Sequence, residues 1–315
     1  MIVSVLGAGV AGLCAATALA ERGARVEVID PSPDLAGASW FAGGMLAPWC
    51  EAEAAPEAVF VMGQGARDWW AARVPGVVQA GTLVVAPPRD GAELARFARA
   101  TGGHEWVDPG AVEPDLAGRF ARGLFYAEEA HLDPRKALAA LRARLRELGA
   151  ELRFGEGARP RGRVVDCRGL GAREEVPGLR AVRGEMLMLR CGDVAFARPV
   201  RLLHPRFPCY LVPRGEGLFM LGATMVESER PGPITARAAM ELLSAAYAIH
   251  PALAEAEVVE TGAGLRPALP DNIPRVIARD GRICVNGLYR HGFLAAPALA
   301  EEVARRLCEG GADAH

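Results

Sequence analysis

Apolar and polar positions follow two rhythms along this 315-residue chain, and the change between them divides it. Residues 2–6 are an almost unbroken apolar run ending at glycine, the pattern of a strand buried on both faces of a parallel sheet. Leu13, Ala16 and Ala20 then recur at helical spacing as far as Gly23, and Val26, Val28 and Ile29 form a second strand closing on Asp30. Helical periodicity returns over 57–73, ending before Pro75, and over 91–101, where Leu94, Phe97 and Ala98 share a face. Residues 131–150 carry the strongest helix signature: Asp133 as N-cap, Pro134 at the first position, leucines at 138, 141, 145 and 148, and Gly149 as terminator. Strands are predicted over 81–86 and 163–172. From 184 to 226 the pattern turns β-rich, with GEMLMLR and then CYLVPRGEGLFMLGATM, bent into a hairpin at 214–217. A helix bearing Ala238, Leu242, Leu243 and Ala246 stops near His250 and Pro251. Last come a strand (ICVNG), a loop over 288–294, and a helix starting near Ala296 and Pro297 that carries Leu299, Val303 and Leu307. A β-rich insertion between α/β segments predicts a second domain threaded through the first.

The first strand, turn, helix and second strand together form a nucleotide-binding pattern. Gly7 permits the tight bend, Gly9 allows a pyrophosphate to approach the backbone, and Gly12 lets the helix pack close to the strand. Amides at the helix start, around Val10 and Ala11, are free to bind phosphate. Asp30 would accept hydrogen bonds from a ribose hydroxyl pair and disfavours a 2′-phosphate, which argues against NADP. Taken alone, these residues suit NAD and FAD equally.

Composition narrows the partners. With 51% hydrophobic residues the chain can bury one large core or two modest ones. A formal net charge of -2 offers no basic surface for nucleic acid or an anionic membrane, and the apolar runs are too short to span a bilayer. Seven cysteines show no CxxC pair, and several lie in apolar runs, the usage of reduced, buried thiols in a cytoplasmic protein. Six scattered histidines give no HExxH, so no metal site is expected.

Further motifs, in order along the chain, are SWFAGGMLAP, YLVPR, GATM, GLRP and GLYRHGFLAAPALAEEV. Together with the N-terminal unit they resemble the D-amino-acid oxidase family of FAD enzymes, and AGGMLAP, GATM and YRHG are most similar to its glycine-oxidase branch of thiamine biosynthesis. The resemblance runs from residue 2 to about 307. It implies an α/β, two-domain flavoprotein: a discontinuous Rossmann-type FAD-binding domain (1–75, 128–178 and 262–315) and an antiparallel β-rich substrate domain (76–127 and 179–261). It also implies oxidative deamination of glycine or a similar small amine, with FAD as hydride acceptor and O2 as oxidant, and a homo-oligomeric assembly. An oxidase or dehydrogenase of another amine, such as sarcosine, a small D-amino acid or a modified nucleoside side chain, fits the same fold, although the missing basic patch argues against a tRNA substrate. A nonenzymatic cofactor-binding module is a third possibility, which leaves Arg266 and Tyr210 in these motifs without a purpose.

Residue by residue, the resemblance assigns Gly7, Gly9, Gly12 and Asp30 to the pyrophosphate and adenosine ribose. Ser39, Ala42, Gly43, Gly44, Met45 and Leu46 fall along the flavin ring and ribityl chain, where Gly43 and Gly44, lacking a β-carbon, would let backbone meet the ring. Gly169 and Gly171 end a strand against the cofactor. His291, Gly292, Phe293 and Leu294 lie beside the flavin, at a helix start whose positive end favours the anionic reduced ring. Arg266 is the carboxylate anchor, because a guanidinium offers two parallel hydrogen bonds, and Tyr210 adds its hydroxyl. Arg290 and Met225 shape the pocket. No cysteine occurs in 267–274, where relatives carry a flavin-linking thiol, so FAD is expected to be noncovalent. The chain departs from the pattern at 159–161, a short linker in place of a longer β-hairpin, which leaves the cover of the adenosine edge open.

Overall fold

A computed structural model describes residues 1–34, 37–155 and 157–309; the last six residues of the expected 262–315 segment lie outside them. Two sheets organise the molecule. The first has six strands in the order Arg275–Arg279, Arg282–Asn286, Arg163–Asp166, Ile2–Leu6, Arg25–Asp30, Glu151–Phe154. All its pairings are parallel except that of the edge strand Arg275–Arg279. The chain leaves Ile2–Leu6 toward Arg25–Asp30 on one side and returns to Arg163–Asp166 on the other. A crevice therefore opens at the carboxyl end of Ile2–Leu6, the usual ligand position in such sheets.

The N-terminal helix, Val10–Glu21, ends where Gly23 turns back with a φ of +80°. Helix Pro134–Glu147 is capped by the Asp133 carboxylate, which accepts from the Arg135 and Lys136 amides at 2.9 and 3.4 Å. Leu13, Leu19, Leu138, Leu141, Leu145, Leu299 and Val303 are fully buried together around this sheet.

The second sheet has nine strands. Eight run in the order Val226–Glu227, Arg180–Arg190, Leu218–Gly222, Cys209–Gly215, Val200–Leu202, Thr82–Val85, Gly123–Tyr126, Glu105–Val107, and Glu257–Ala268 pairs along Arg180–Arg190. The expected antiparallel character holds except between Val200–Leu202 and Thr82–Val85, which run parallel because the two chain segments meet side by side. Glu257–Ala268 stays paired in this sheet from end to end apart from a bulge at Val259, so the boundary expected at 262 falls inside a strand. Helix Ala236–Ile249 covers one face with Ala238, Leu242 and Ala246, while Leu243 turns outward.

Two helices differ from expectation. The segment 57–73 splits into Glu57–Gly63 and Ala66–Ala71. Gly63 is pressed so closely on the C-terminal helix that a β-carbon there would lie 2.7 Å from Leu294, and Gly65 adds a second weak helix former at the break. The C-terminal helix is Gly292–Cys308, starting four residues before Ala296, with Pro297 inside it rather than at its first position. A proline at 297 has no N–H for the Phe293 carbonyl; the Trp70 indole donates to that carbonyl instead, at 2.8 Å. Among the described residues, no helix is long and apolar enough to cross a membrane.

The short linker at 159–161 is anchored beneath the sheet. Buried Glu27 accepts from Ser4 Oγ (2.5 Å), the Arg161 amide (2.9 Å), Arg161 Nε (2.6 Å) and Arg153 (2.9 Å). Burial opposes its charge, but these bonds win and hold the carboxyl at about 2.

Candidate active site

A cavity of about 790 Å3 lies between the two sheets, within the range of small-molecule and cofactor sites. The N-terminal and C-terminal helices both start at its wall, where Val10 and Gly292 line it, so two helix N-termini bring partial positive charge to one space.

Gly7 lines the cavity with a φ of +97°, and a β-carbon there would lie 2.7 Å from Cys167 O. Gly12 does not line the cavity. Its hydrogen faces Gly7 O, where a β-carbon would stand at 1.9 Å, so its role is to seat the helix on the turn. Asp30 secures the turn through its carboxylate, which accepts from the Ala8 amide at 2.7 Å and the Ser32 amide at 3.1 Å. Ser39 Oγ accepts from the Val10 amide at 3.1 Å. The Gly9, Ala11 and Gly12 amides are left without an intrahelical acceptor, as at any helix start.

Ala42, Gly43, Gly44 and Met45 also line the cavity. Leu46 does not. It is 1% exposed and paired with Ala130, and strand alternation that turns Met45 to the cavity turns Leu46 into the core. The expectation that Leu46 touches the flavin is thereby corrected. The glycines at 43 and 44 are required by protein contacts: a β-carbon on Gly43 would lie 2.6 Å from the Tyr210 ring, and one on Gly44, at φ +70°, 2.2 Å from Leu132 O. Arg214 fixes this segment by donating to Gly43 O at 2.8 Å and Leu132 O at 3.2 Å; burial lowers its guanidinium to about 10. Gly169, with a φ of +57°, lines the wall opposite and its carbonyl accepts from Asn286 at 2.9 Å.

The other end is built on the nine-stranded sheet. Arg266 extends across Gly184, where a β-carbon would lie 2.1 Å from its guanidinium, so glycine at 184 is what opens its path. Arg266 Nη1 donates to Thr224 O at 3.0 Å; among the described residues no carboxylate lies within ion-pair distance, and burial lowers its affinity for the proton. Tyr210 stands beside it, its hydroxyl pushed up by burial while Arg266 and Arg290 pull it down. Met225 is 49% exposed at the cavity edge, with its sulfur 3.3 Å from Arg290 Nη1.

Arg290, His291, Gly292, Phe293 and Leu294 all line the cavity, and the sequence reading missed the residue that holds them, Glu51. Glu51 Oε1 accepts from Arg290 at 2.9 Å and from Arg201 at 3.2 Å, and its Oε2 lies 3.2 Å from His291 Nδ1. Burial would raise this carboxyl, but Arg290, His291 and Arg201 hold it well below the usual range; Glu51 in turn raises Arg290. Glu51 closes the one-turn helix Pro48–Glu51, three residues beyond the motif SWFAGGMLAP, so no motif marked it. Arg201, in a strand with no motif of its own, carried no signal.

A Rhizobium etli protein described as a candidate thiamine biosynthesis oxidoreductase, ThiO, is 58% identical over 98% of this chain and 96% of its own length. A Pseudomonas aeruginosa glycine oxidase is 27% identical over 94% of this chain and 92% of its own. The crystal structure of glycine oxidase from Bacillus cereus superposes with a TM-score of 0.83 over 99% of this chain and 98% of that one; at 23% identity this likeness speaks for the fold alone. The DAO model, FAD dependent oxidoreductase, matches residues 3–306. Its match covers nearly the whole chain, cavity walls included, and the chain belongs to the DAO family of FAD dependent oxidoreductases.

Proposed function

We propose that this protein oxidises glycine, or an amine of similar size, in the cytoplasm and that the product feeds synthesis of the thiazole of thiamine. The observation that carries the reading is Arg266, a guanidinium inside the cavity that has a carbonyl partner but, among the described residues, no carboxylate. A buried cation without a counter-ion is costly, and a substrate carboxylate supplies the missing charge with two parallel bonds. The relatives named as a thiamine oxidoreductase and a glycine oxidase support the amine and the pathway.

The residues fit FAD. The Gly9 and Ala11 amides would take the pyrophosphate, Asp30 keeps acceptor lone pairs for the ribose, and Ala42 to Met45 and the start of the C-terminal helix line the same cavity, where the ring system would lie. Cys167 and Cys209 also line the cavity, but burial pushes both thiols up, Cys209 to about 12, which removes the thiolate a covalent flavin link would need and supports noncovalent binding. Bound FAD supplies a two-electron acceptor that takes a hydride from the substrate α-carbon and returns the electrons to dioxygen as hydrogen peroxide. The chain's own part is position and field. Arg266 and the Tyr210 hydroxyl fix the carboxylate, which orients the α-carbon. Glu51 holds Arg290 at the helix start, with His291 beside it, where positive charge favours a negatively charged ligand. Loss of that hydride and of an N–H proton would leave the substrate as an imine, which water hydrolyses to glyoxylate and ammonia. Glycine-dependent release of peroxide and glyoxylate in equal amounts by the purified yellow protein is the expected result; a flavin-loaded protein that releases neither counts against the reading.

A further inference from the structure

The carbonyl that holds Arg266 belongs to Thr224, and the other polar groups of Thr224 are all committed to Glu185. Thr224 follows the strand Leu218–Gly222 and stays against the strand Arg180–Arg190. Its amide donates to Glu185 O at 3.2 Å, and its hydroxyl lies 3.0 Å from both the Glu185 amide and Glu185 Oε2. Burial raises this carboxyl, but the Thr235 amide, the Thr224 hydroxyl and Arg183 together hold it below the usual range, so it is ionised and can only accept. The Thr224 hydroxyl therefore donates to Oε2 and accepts from the Glu185 amide, and it has no freedom to rotate. With amide and side chain both fixed, the direction of the Thr224 carbonyl is fixed too, and it accepts from Arg266 Nη1 at 3.0 Å.

Glu185 is anchored in turn. It is 1% exposed, and its Oε1 accepts from Arg183 Nε at 3.2 Å, from Arg183 Nη2 at 3.1 Å and from the Thr235 amide at 2.9 Å. Thr235 caps the helix Ala236–Ile249 by accepting from the Ala238 amide at 3.2 Å. Arg183 is also buried and directs further donors to the carbonyls of Arg230, Gly232 and Pro233. Arg266 lies over Gly184, so by strand alternation Arg183 and Glu185, on either side of it, point to the opposite face of the sheet. The pair is neutral as a unit and brings no net charge to the cavity. What it gives Arg266 is direction: a guanidinium aimed beforehand loses less freedom when a carboxylate binds. With Nη1 held, Nε and Nη2, which have no partner among the described residues, keep a fixed orientation.

We infer that Glu185, acting through the Thr224 hydroxyl, is a positioning residue for the Arg266 guanidinium and so for the substrate carboxylate. The inference rests on Arg266 as the carboxylate anchor and assigns the residues that aim it.

Methoxyacetate has a carboxylate and no amine, so it binds without turnover, and the flavin absorbance of the holoenzyme reports its occupancy. Thr224→Val keeps the side-chain shape and removes the hydroxyl; the dissociation constant for methoxyacetate should rise about tenfold. Thr224→Ser restores the hydroxyl and should stay within about threefold of the wild type. Should Thr224→Val fail to fold, Thr224→Ala is measured against the same expectation. A residue that merely supports the fold would weaken binding whether or not Arg266 is present. Positioning through Arg266 predicts that adding Thr224→Val to Arg266→Gln changes the dissociation constant by less than about twofold. Unchanged affinity in Thr224→Val, an equal loss in Thr224→Ser, or the full loss repeated on top of Arg266→Gln would overturn the inference. Arg266→Gln alone tests the reading beneath it. If that variant binds methoxyacetate as the wild type does, the carboxylate anchor itself fails; if it binds weakly while Thr224→Val binds normally, the anchor stands and the positioning role fails.

Discussion

At Arg266 burial works against a charge that, among the described residues, the Thr224 carbonyl alone answers, which is why the residue matters in proportion to what binds beside it. Replacing it with alanine removes two charge-assisted hydrogen bonds, each worth about 1.5–3 kcal/mol. In Arg266→Ala, KM for glycine should rise at least 100-fold while flavin absorbance per protein stays constant; an unchanged KM would refute the carboxylate assignment. Gly184 provides a subtler probe. A methyl group at 184 would displace the Arg266 guanidinium without removing it, so Gly184→Ala should raise KM in the same direction with the FAD content retained. Arg266 was legible because a short motif surrounds it. Glu51 was not, because its importance comes from three partners, Arg201, Arg290 and His291, that are far away in sequence and meet only in the fold.

Among the elements, the C-terminal helix shows how a local rule is overridden by a distant residue. Proline at 297 reads as a first position, yet the helix begins at Gly292 because Trp70, on another helix, takes the carbonyl that the proline leaves free. Trp70→Phe should lower the unfolding free energy by about 1–3 kcal/mol from the unpaired carbonyl alone. In Trp70→Phe with Pro297→Ala, the new amide can bond Phe293 O, and part of the loss should return; a urea double-mutant cycle showing strict additivity would contradict this coupling. The bonds around Glu27 join the strands Ile2–Leu6, Arg25–Asp30 and Glu151–Phe154 to the linker at 159–161. Its folded carboxyl titrates at about 2, below the ordinary carboxylate value, so the folded state binds fewer protons than the unfolded state in between. The stability it contributes is present above the unfolded value and is lost as pH falls toward 2. Urea midpoints of wild type and Glu27→Gln should therefore differ at pH 6 and converge near pH 2; a gap that does not depend on pH would show that Glu27 acts by packing.

At the scale of the molecule, the nucleotide-binding half was legible because its parts are consecutive: strand, glycine turn, helix, strand, acid. The nine-stranded sheet was legible in kind but not in order, since it pairs Thr82–Val85 with Val200–Leu202 and Arg180–Arg190 with Glu257–Ala268 across long stretches of chain. The cavity takes its walls from both sheets, so a molecule of FAD held there would bridge them. Removing the flavin should lower the thermal midpoint, and adding FAD at about 1,000 times its dissociation constant should restore about 4 kcal/mol. The most direct measurement of the central claim is a spectrum. The purified yellow protein is mixed with glycine under nitrogen, and flavin absorbance is followed before and after oxygen is admitted. Bleaching by glycine, and recovery of the oxidised spectrum with oxygen as peroxide appears, is the result expected. A flavin that stays oxidised in saturating glycine, with Arg266 intact, would contradict the account.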